Sequence, residues 1–414
     1  MFSISQDKRT NRLYMFCWIA YFTSYLLRYD YTACLSEILV QESLTESQAG
    51  LVTTALFITY ALGQLFSGVL GDRIKPDKII LSGLAVSSLT NLVFPFVQGY
   101  IWMTVLWAIN GFAQAMLWPP MVRIMAECFR GEEYRKAAVN ISVACAASTI
   151  GIYLLAPLCI QLVSWEALFF LVSAIGVCIT ILWGSVVPRL TMDDGARKEE
   201  KPTATNEIHS VRLGKLILEV GLIPVFLAIV AQGVIRDGVS SWTPQLLSEY
   251  FSLEISDSIL LTVTLPVLTV IALKVSAWLN KRFFKNQVKC SMFLFGIALV
   301  SFVALIPLGG LHPVIMVGLA GISVSAIHGV NLMLISELPA YFRGYGKVST
   351  ISGVLNTCTY IGSATSTYGF GWLMEHYGSN TMVVAWILSA AAGVVLALLS
   401  LRKWTSFMKK AKSE

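Results

Sequence analysis

The chain has 414 residues, 56% of them hydrophobic and only 13% charged, with a formal net charge of +6 and a mean hydropathy of +0.70. A soluble protein of this size carries about 25% charged residues, so the composition excludes an ordinary soluble domain and points to an all-α polytopic membrane protein. The eight cysteines are scattered, with no Cys-x-x-Cys or Cys/His spacing. They read as small apolar fillers, and no metal, disulfide framework or cofactor is expected.

A membrane span needs roughly 20 mostly apolar residues. Twelve runs qualify, at about 12–34, 47–71, 78–98, 101–127, 136–157, 165–187, 214–236, 256–280, 288–308, 311–335, 346–372 and 379–402. The run after "KRTNR" is followed by no small-residue cleavage site, so it reads as a permanent first span. Basic residues alternate with the spans. Lys8, Arg9 and Arg12 precede the first; Arg73, Lys75 and Lys78 follow the second; Arg130 and Arg135 follow the fourth; Lys281, Arg282 and Lys285 follow the eighth. The loops between these hold acids such as Glu42, Glu166 and Glu249 and no Lys or Arg. The positive-inside rule then places both termini in the cytoplasm of a cell whose plasma or inner membrane the chain spans. The net charge is thereby an orientation signal, and no nucleic-acid partner is called for.

Residues 188–213 form the long polar stretch, "PRLTMDDGARKEEKPTATNEIHSVRL", and read as a flexible cytoplasmic linker. It separates an N-terminal six-helix bundle, 1–187, from a C-terminal one, 214–414. Three landmarks recur across it at nearly one offset. Arg28 and Arg236 are 208 apart (236 − 28), "GVLGDR" at Gly68 and "AWLNKR" at Ala277 are 209 apart (277 − 68), and the two Phe-Arg-Gly runs at Phe129 and Phe342 are 213 apart (342 − 129). Such a series argues for duplication. Six helices per repeat keep the repeats parallel, with a pseudo-twofold axis along the membrane normal and a substrate site near the midplane.

Arg28 and Arg236 stand inside apolar runs, as does Lys274. An arginine at mid-span costs about 2.5–3.5 kcal/mol on insertion scales, so two cost about 5–7 kcal/mol before compensation. Such residues mark a wet cavity and a substrate path. Repeat symmetry would set the two guanidinium forks on opposite walls, as a clamp for a compact anion. The plainer reading pairs Arg28 with Asp30 and Arg236 with Asp237, but residues one and two apart leave a helix in different directions.

The loop "GVLGDRIKPDK" resembles the cytoplasmic signature of the major facilitator superfamily, in which Gly68, Asp72 and Arg73 would form a conformational latch. "YLLRYDY" and "RDGVSSWTPQLL" look like the first- and seventh-helix motifs of the organophosphate:phosphate antiporters, whose seventh-helix pattern Arg-x-Gly-x-x-x-Trp-x-Pro is matched by Arg236, Gly238, Trp242 and Pro244. "FAQAMLWPPMVRIM" is similar to the family's fourth helix. The resemblance runs over almost the whole chain. It implies alternating access, phosphate bound by Arg28 and Arg236, and Tyr21, Tyr25 and Tyr360 beside them. Two departures stand out. Gln64 occupies the place of a second-helix lysine, and Cys145 or Ala146 the place of a fifth-helix histidine. Lys274 and His328, both in the other half, are the residues to replace them.

The leading expectation is therefore a secondary active transporter, not an enzyme, that moves a phosphate ester in exchange for inorganic phosphate and works as a monomer in the lipid bilayer. The alternatives are a proton-coupled carboxylate or phosphonate symporter, with Asp30 and Asp237 as proton carriers, and a transport-dead ligand sensor. No P-loop, Gly-x-Ser-x-Gly or His-Glu-x-x-His motif is present to support enzymatic chemistry.

Overall fold

In the computed structural model, residues 3–192, 213–252, 261 and 264–413 are described. Most of the expected linker, 193–212, and the start of the eighth expected span lie outside them. Helices stand at each of the twelve expected positions. In the first half these are α1 (Lys8–Ala33), α3 (Glu46–Arg73), α4 (Pro76–Val93), α5 (Tyr100–Ala115) continued by α6 (Trp118–Cys128), α7 (Glu132–Leu162) and α8 (Trp165–Met192), with a short α2 (Leu35–Gln41). The second half has a short α9 (Leu213–Val220), then α10 (Leu222–Phe251), α11 (Thr264–Leu279), α12 (Gln287–Leu308), α13 (Pro313–Asn331), α14 (Val348–Tyr377) and α15 (Ser379–Ser413).

Among the described residues, nine helical stretches are long and apolar enough to cross a membrane. The other three expected spans are helical but fall short for local reasons. α1 carries Arg28 and Asp30 within it, the described part of α11 is only 16 residues, and α14 is rich in Ser, Thr and Gly. The chain groups into two compact units, Met1–Thr203 with Phe342–Val354, and Ala204–Tyr341 with Leu355–Glu414. The first turns of α14 thus belong with the first unit and the rest of α14 with the second.

Within the first unit, α1 packs on α7 and α8, and α3 runs along α5. α1 is pinned just before Arg28. The Leu27 carbonyl accepts from Asn91 Nδ2 at 3.0 Å and Asn110 Nδ2 at 2.9 Å. Ser87 Oγ donates to Asn110 Oδ1 and Gln114 Nε2 donates to Ser87 Oγ, both at 2.7 Å. Every donor here is buried, so each needs a partner, and the chain of bonds ties α1 to α4 and α5. Beyond it an apolar core closes the end of the unit, with Phe94 stacked on Phe169 at 4.8 Å and Tyr31, Trp107 and Trp165 around them.

In the second unit, α10 packs on α13 and α15 and crosses α14 at two glycines. A methyl on Gly233 would strike the Thr359 carbonyl oxygen, and one on Gly362 the Val230 carbonyl oxygen. The backbones meet because both positions lack a side chain, the device that lets membrane helices approach closely. At Gly151 in the first half a methyl would meet the Phe22 ring at an ordinary 3.8 Å.

Gly362→Val should lower stability by about 1–3 kcal/mol, the usual cost of overpacking, read as a drop in melting temperature in detergent. Gly318→Val, where a methyl meets nothing within 4 Å, should leave the melting temperature nearly unchanged.

Candidate functional site

Arg28 is 4% exposed and lies among aromatic rings from two helices. Its guanidinium carbon is 4.3 Å from the ring centre of Tyr60, 5.3 Å from Phe57, 5.7 Å from Tyr25 and 5.9 Å from Tyr29. Ring faces attract a cation, by about 2 kcal/mol or more each when desolvated, so the cluster compensates part of the cost of burying the charge. The Tyr25 and Tyr21 hydroxyls are 3.4 Å apart, and Tyr21 packs against Trp118 at 4.8 Å. Gln64 follows Tyr60 by one helical turn and is fully buried. Among the described residues, neither its amide oxygen nor its amide nitrogen has a hydrogen-bond partner.

Asp30 is fully buried too. Its Oδ1 accepts from the Tyr31 amide at 2.8 Å, and its Oδ2 has no hydrogen-bond partner among the described residues.

The second unit treats its arginine differently. Arg236 Nε donates to Asp237 Oδ1 at 2.7 Å and Nη2 to Asp237 Oδ2 at 2.8 Å. This corrects the expectation that neighbouring residues would not pair. The Cα–Cβ bonds do diverge, but the long arginine arm folds back and its fork meets the carboxylate. Nη2 also lies 3.4 Å from Ser363 Oγ, and the guanidinium is 5.7 Å from the Tyr360 ring. His328 lies on α13 in the same unit. Gly233, one turn before Arg236, and Gly362, beside Ser363, form the helix crossing that sets this geometry.

Lys274 was expected near the anion. It is exposed on α11, on the same face as the exposed Ile271, Val275 and Trp278, and no described hydrogen bond or ion pair joins it to the Arg236 cluster. Gln114 is held in the network at Leu27, and Gln232 Oε1 accepts from Thr359 Oγ1 at 3.3 Å.

At the end of α3, Asp72 Oδ1 accepts from the Ser349 amide and Oδ2 from the Thr350 amide, each at 2.9 Å. The carboxylate thus caps the N-terminus of α14 within the first unit. A methyl on Gly68 would come within 2.9 Å of the Ser349 carbonyl oxygen, so the glycine permits the approach. Arg123 donates to the carbonyls of Gly71 and Ile74 and pairs with Glu127. Arg73 is exposed. The second unit has no acid in "AWLNKR" but supplies one from elsewhere. The buried Glu337 accepts from Asn280 Nδ2 at 3.1 Å and Gln287 Nε2 at 3.2 Å.

Tyr60, Phe57 and Ser363 escaped the sequence reading. Helical spacing was the available signal, since Tyr60 precedes Gln64 by four residues, Phe57 precedes Tyr60 by three, and Ser363 follows Tyr360 by three.

Residues 17–367 match the model of the Major Facilitator Superfamily. The chain belongs to that superfamily and is a membrane transporter. It is 26% identical over 426 aligned positions to a glycerol-3-phosphate transporter of Bacillus subtilis, covering 92% of this chain and 90% of that one. A shorter stretch, 30% of this chain and 27% of the relative, is 25% identical to a probable hexose phosphate transport protein of Chlamydia pneumoniae. Another, 28% of this chain and 26% of the relative, is 30% identical to the membrane sensor protein UhpC of Salmonella typhimurium. Among solved structures, the fold is similar to the transporter FucP, with a TM-score of 0.71 at 15% identity over 96% of this chain and 99% of that one. It is likewise similar to the proton:xylose symporter XylE, with a TM-score of 0.70 at 15% identity over 95% and 96%.

Asp72→Ala removes two charge-assisted bonds to the start of α14. Capping carboxylates are worth about 0.5–2 kcal/mol, so the amides of Ser349 and Thr350 should exchange with deuterium several-fold faster than in the wild type, which mass spectrometry of that peptide would record.

Proposed function

We propose that this transporter carries a small organic anion across the cell membrane, foremost a phosphate ester in exchange for inorganic phosphate. Arg28 and Arg236 both act on that anion. The observation that carries the reading is the guanidinium of Arg28, buried in a membrane helix and ringed by four aromatic side chains. A fully buried cation of this kind is costly and rare outside a substrate path. The likeness to a glycerol-3-phosphate transporter over nearly the whole of both chains supports the same cargo class. Gln64 adds a buried amide whose donor and acceptor find no partner among the described residues, a property suited to reading a ligand. Both termini face the cytoplasm, the Asp72 cap acts as a latch that alternates with the transport cycle, and the carrier works as a monomer formed of two six-helix domains joined by the 188–213 linker.

A second reading has its own observation. The Arg236–Asp237 pair and the cysteine and alanine at the fifth-helix histidine position favour a proton-coupled carboxylate or phosphonate symporter, in which Asp237 or Asp30 carries the proton.

Phosphate-loaded proteoliposomes should take up radiolabelled phosphate with the wild type. Arg28→Lys and Arg236→Lys, which keep the charge and lose the planar fork, should each reduce exchange by at least about tenfold, equivalent to 1.4 kcal/mol. Absence of exchange in a folded wild type would sink the antiport reading. Uptake of carboxylates under an imposed pH gradient would then favour the second, and saturable binding without flux a ligand sensor.

A further inference from the structure

The Nε–Nη2 edge of an arginine is the edge that a carboxylate or phosphate grips with two parallel bonds. In Arg236 that edge is held by Asp237, through contacts of 2.7 and 2.8 Å. We propose that Asp237 is an internal competitor for the transported anion, holding the bidentate edge of Arg236 in the empty carrier and yielding it when the anion binds. The inference rests on the transport reading above and assigns Asp237 the setting of anion affinity and release.

Three features of the second unit support this role. Asp237 sits next to Arg236 on α10, so its carboxylate is never more than a side-chain rotation away and competes at a high effective concentration. Arg236 and Asp237 together carry no net charge, and beside them Ser363 Oγ and the Tyr360 ring, both from α14, add a hydrogen bond and a ring contact. Arg236 and Asp237 are also only 16% and 34% exposed. An anion that takes the edge leaves a carboxylate behind in a poorly solvated place, and that cost is subtracted from the binding free energy.

A carrier needs this subtraction. An anion gripped equally tightly in every state would not be moved, because affinity that does not differ between states shifts nothing. A carboxylate tethered at the same fork gives the guanidinium somewhere to return when the anion leaves.

The test uses the purified full-length protein with inorganic phosphate as the probe. Asp237→Asn keeps the shape and one acceptor oxygen, and removes the competing charge and the bidentate grip. Its phosphate Kd should fall at least about tenfold below wild type, while phosphate exchange slows because release is slower. In the Arg236→Lys background the same substitution should give no gain, which separates competition at the fork from a general change in charge. If Asp237→Asn folds poorly, Asp237→Ser measured in the same way serves as the second variant. Unchanged or weaker phosphate binding in a variant that melts like the wild type overturns the proposal and leaves the transport reading intact, provided that the wild type exchanges phosphate. If neither the wild type nor the variant binds phosphate, both fall together.

Discussion

A guanidinium inside an apolar helix is the constraint around which both units are organised. Its charge has few ways to be satisfied away from water, and each unit uses a different one. Arg28 lies among the rings of Tyr25, Tyr29, Phe57 and Tyr60. Arg236 grips a carboxylate from the next residue. Rings attract a cation through their faces, whereas a carboxylate binds a guanidinium edge with two hydrogen bonds. The two arginines correspond in the repeat and differ in their surroundings.

Neither environment would persist on flexible helices. In the first unit, the network of Ser87, Asn91, Asn110 and Gln114 converges on the Leu27 carbonyl and fixes α1 one residue before Arg28. In the second, the backbone contact of Gly233 and Gly362 brings Ser363 and Tyr360 to Arg236. One unit is held by polar bonds and the other by the absence of side chains, two routes open to helices in lipid, where no hydrophobic drive separates one helix face from another.

The architecture was legible because it rests on long-range averages. Twenty-residue apolar runs, alternating basic loops and a near-constant offset between landmarks survive local irregularity, and the helices follow them. Arg28 and Arg236 were legible because charge in an apolar run is conspicuous. Their neighbours were not. Tyr60 and Phe57 reach Arg28 from α3, and Ser363 reaches Arg236 from α14, and which face of one helix meets another is not written in either helix alone. The Arg236–Asp237 pair was set aside on the direction of Cα–Cβ bonds, an argument that holds for short side chains and fails for one as long as arginine. Lys274 looked like a site residue because it is a cation in a span, yet it shares a face with Ile271, Val275 and Trp278. A lysine stem can lie along apolar surface and carry its ammonium away from it, which a guanidinium gripped by a neighbouring carboxylate does not do.

The same division between scaffold and chemistry runs through the ends of the helices. Asp72 caps α14 while Arg123 holds the last carbonyls of α3. In the second unit, Asn280 and Gln287 gather on Glu337. An acid and a base in one unit are matched by an acid and two amides in the other, so duplication preserved the helix arrangement and left the groups within it free to diverge. What this chain retains of the antiporter pattern is Arg28, Arg236, Gly238, Trp242 and Pro244, residues of anchoring and packing. What it exchanges, at Gln64 and at Cys145 and Ala146, are positions where the pattern carries a cation or a protonatable ring. Substitutions of that second kind change the charge and titration of a helix face while leaving the fold intact, which is why fold and chemistry can part company within one superfamily.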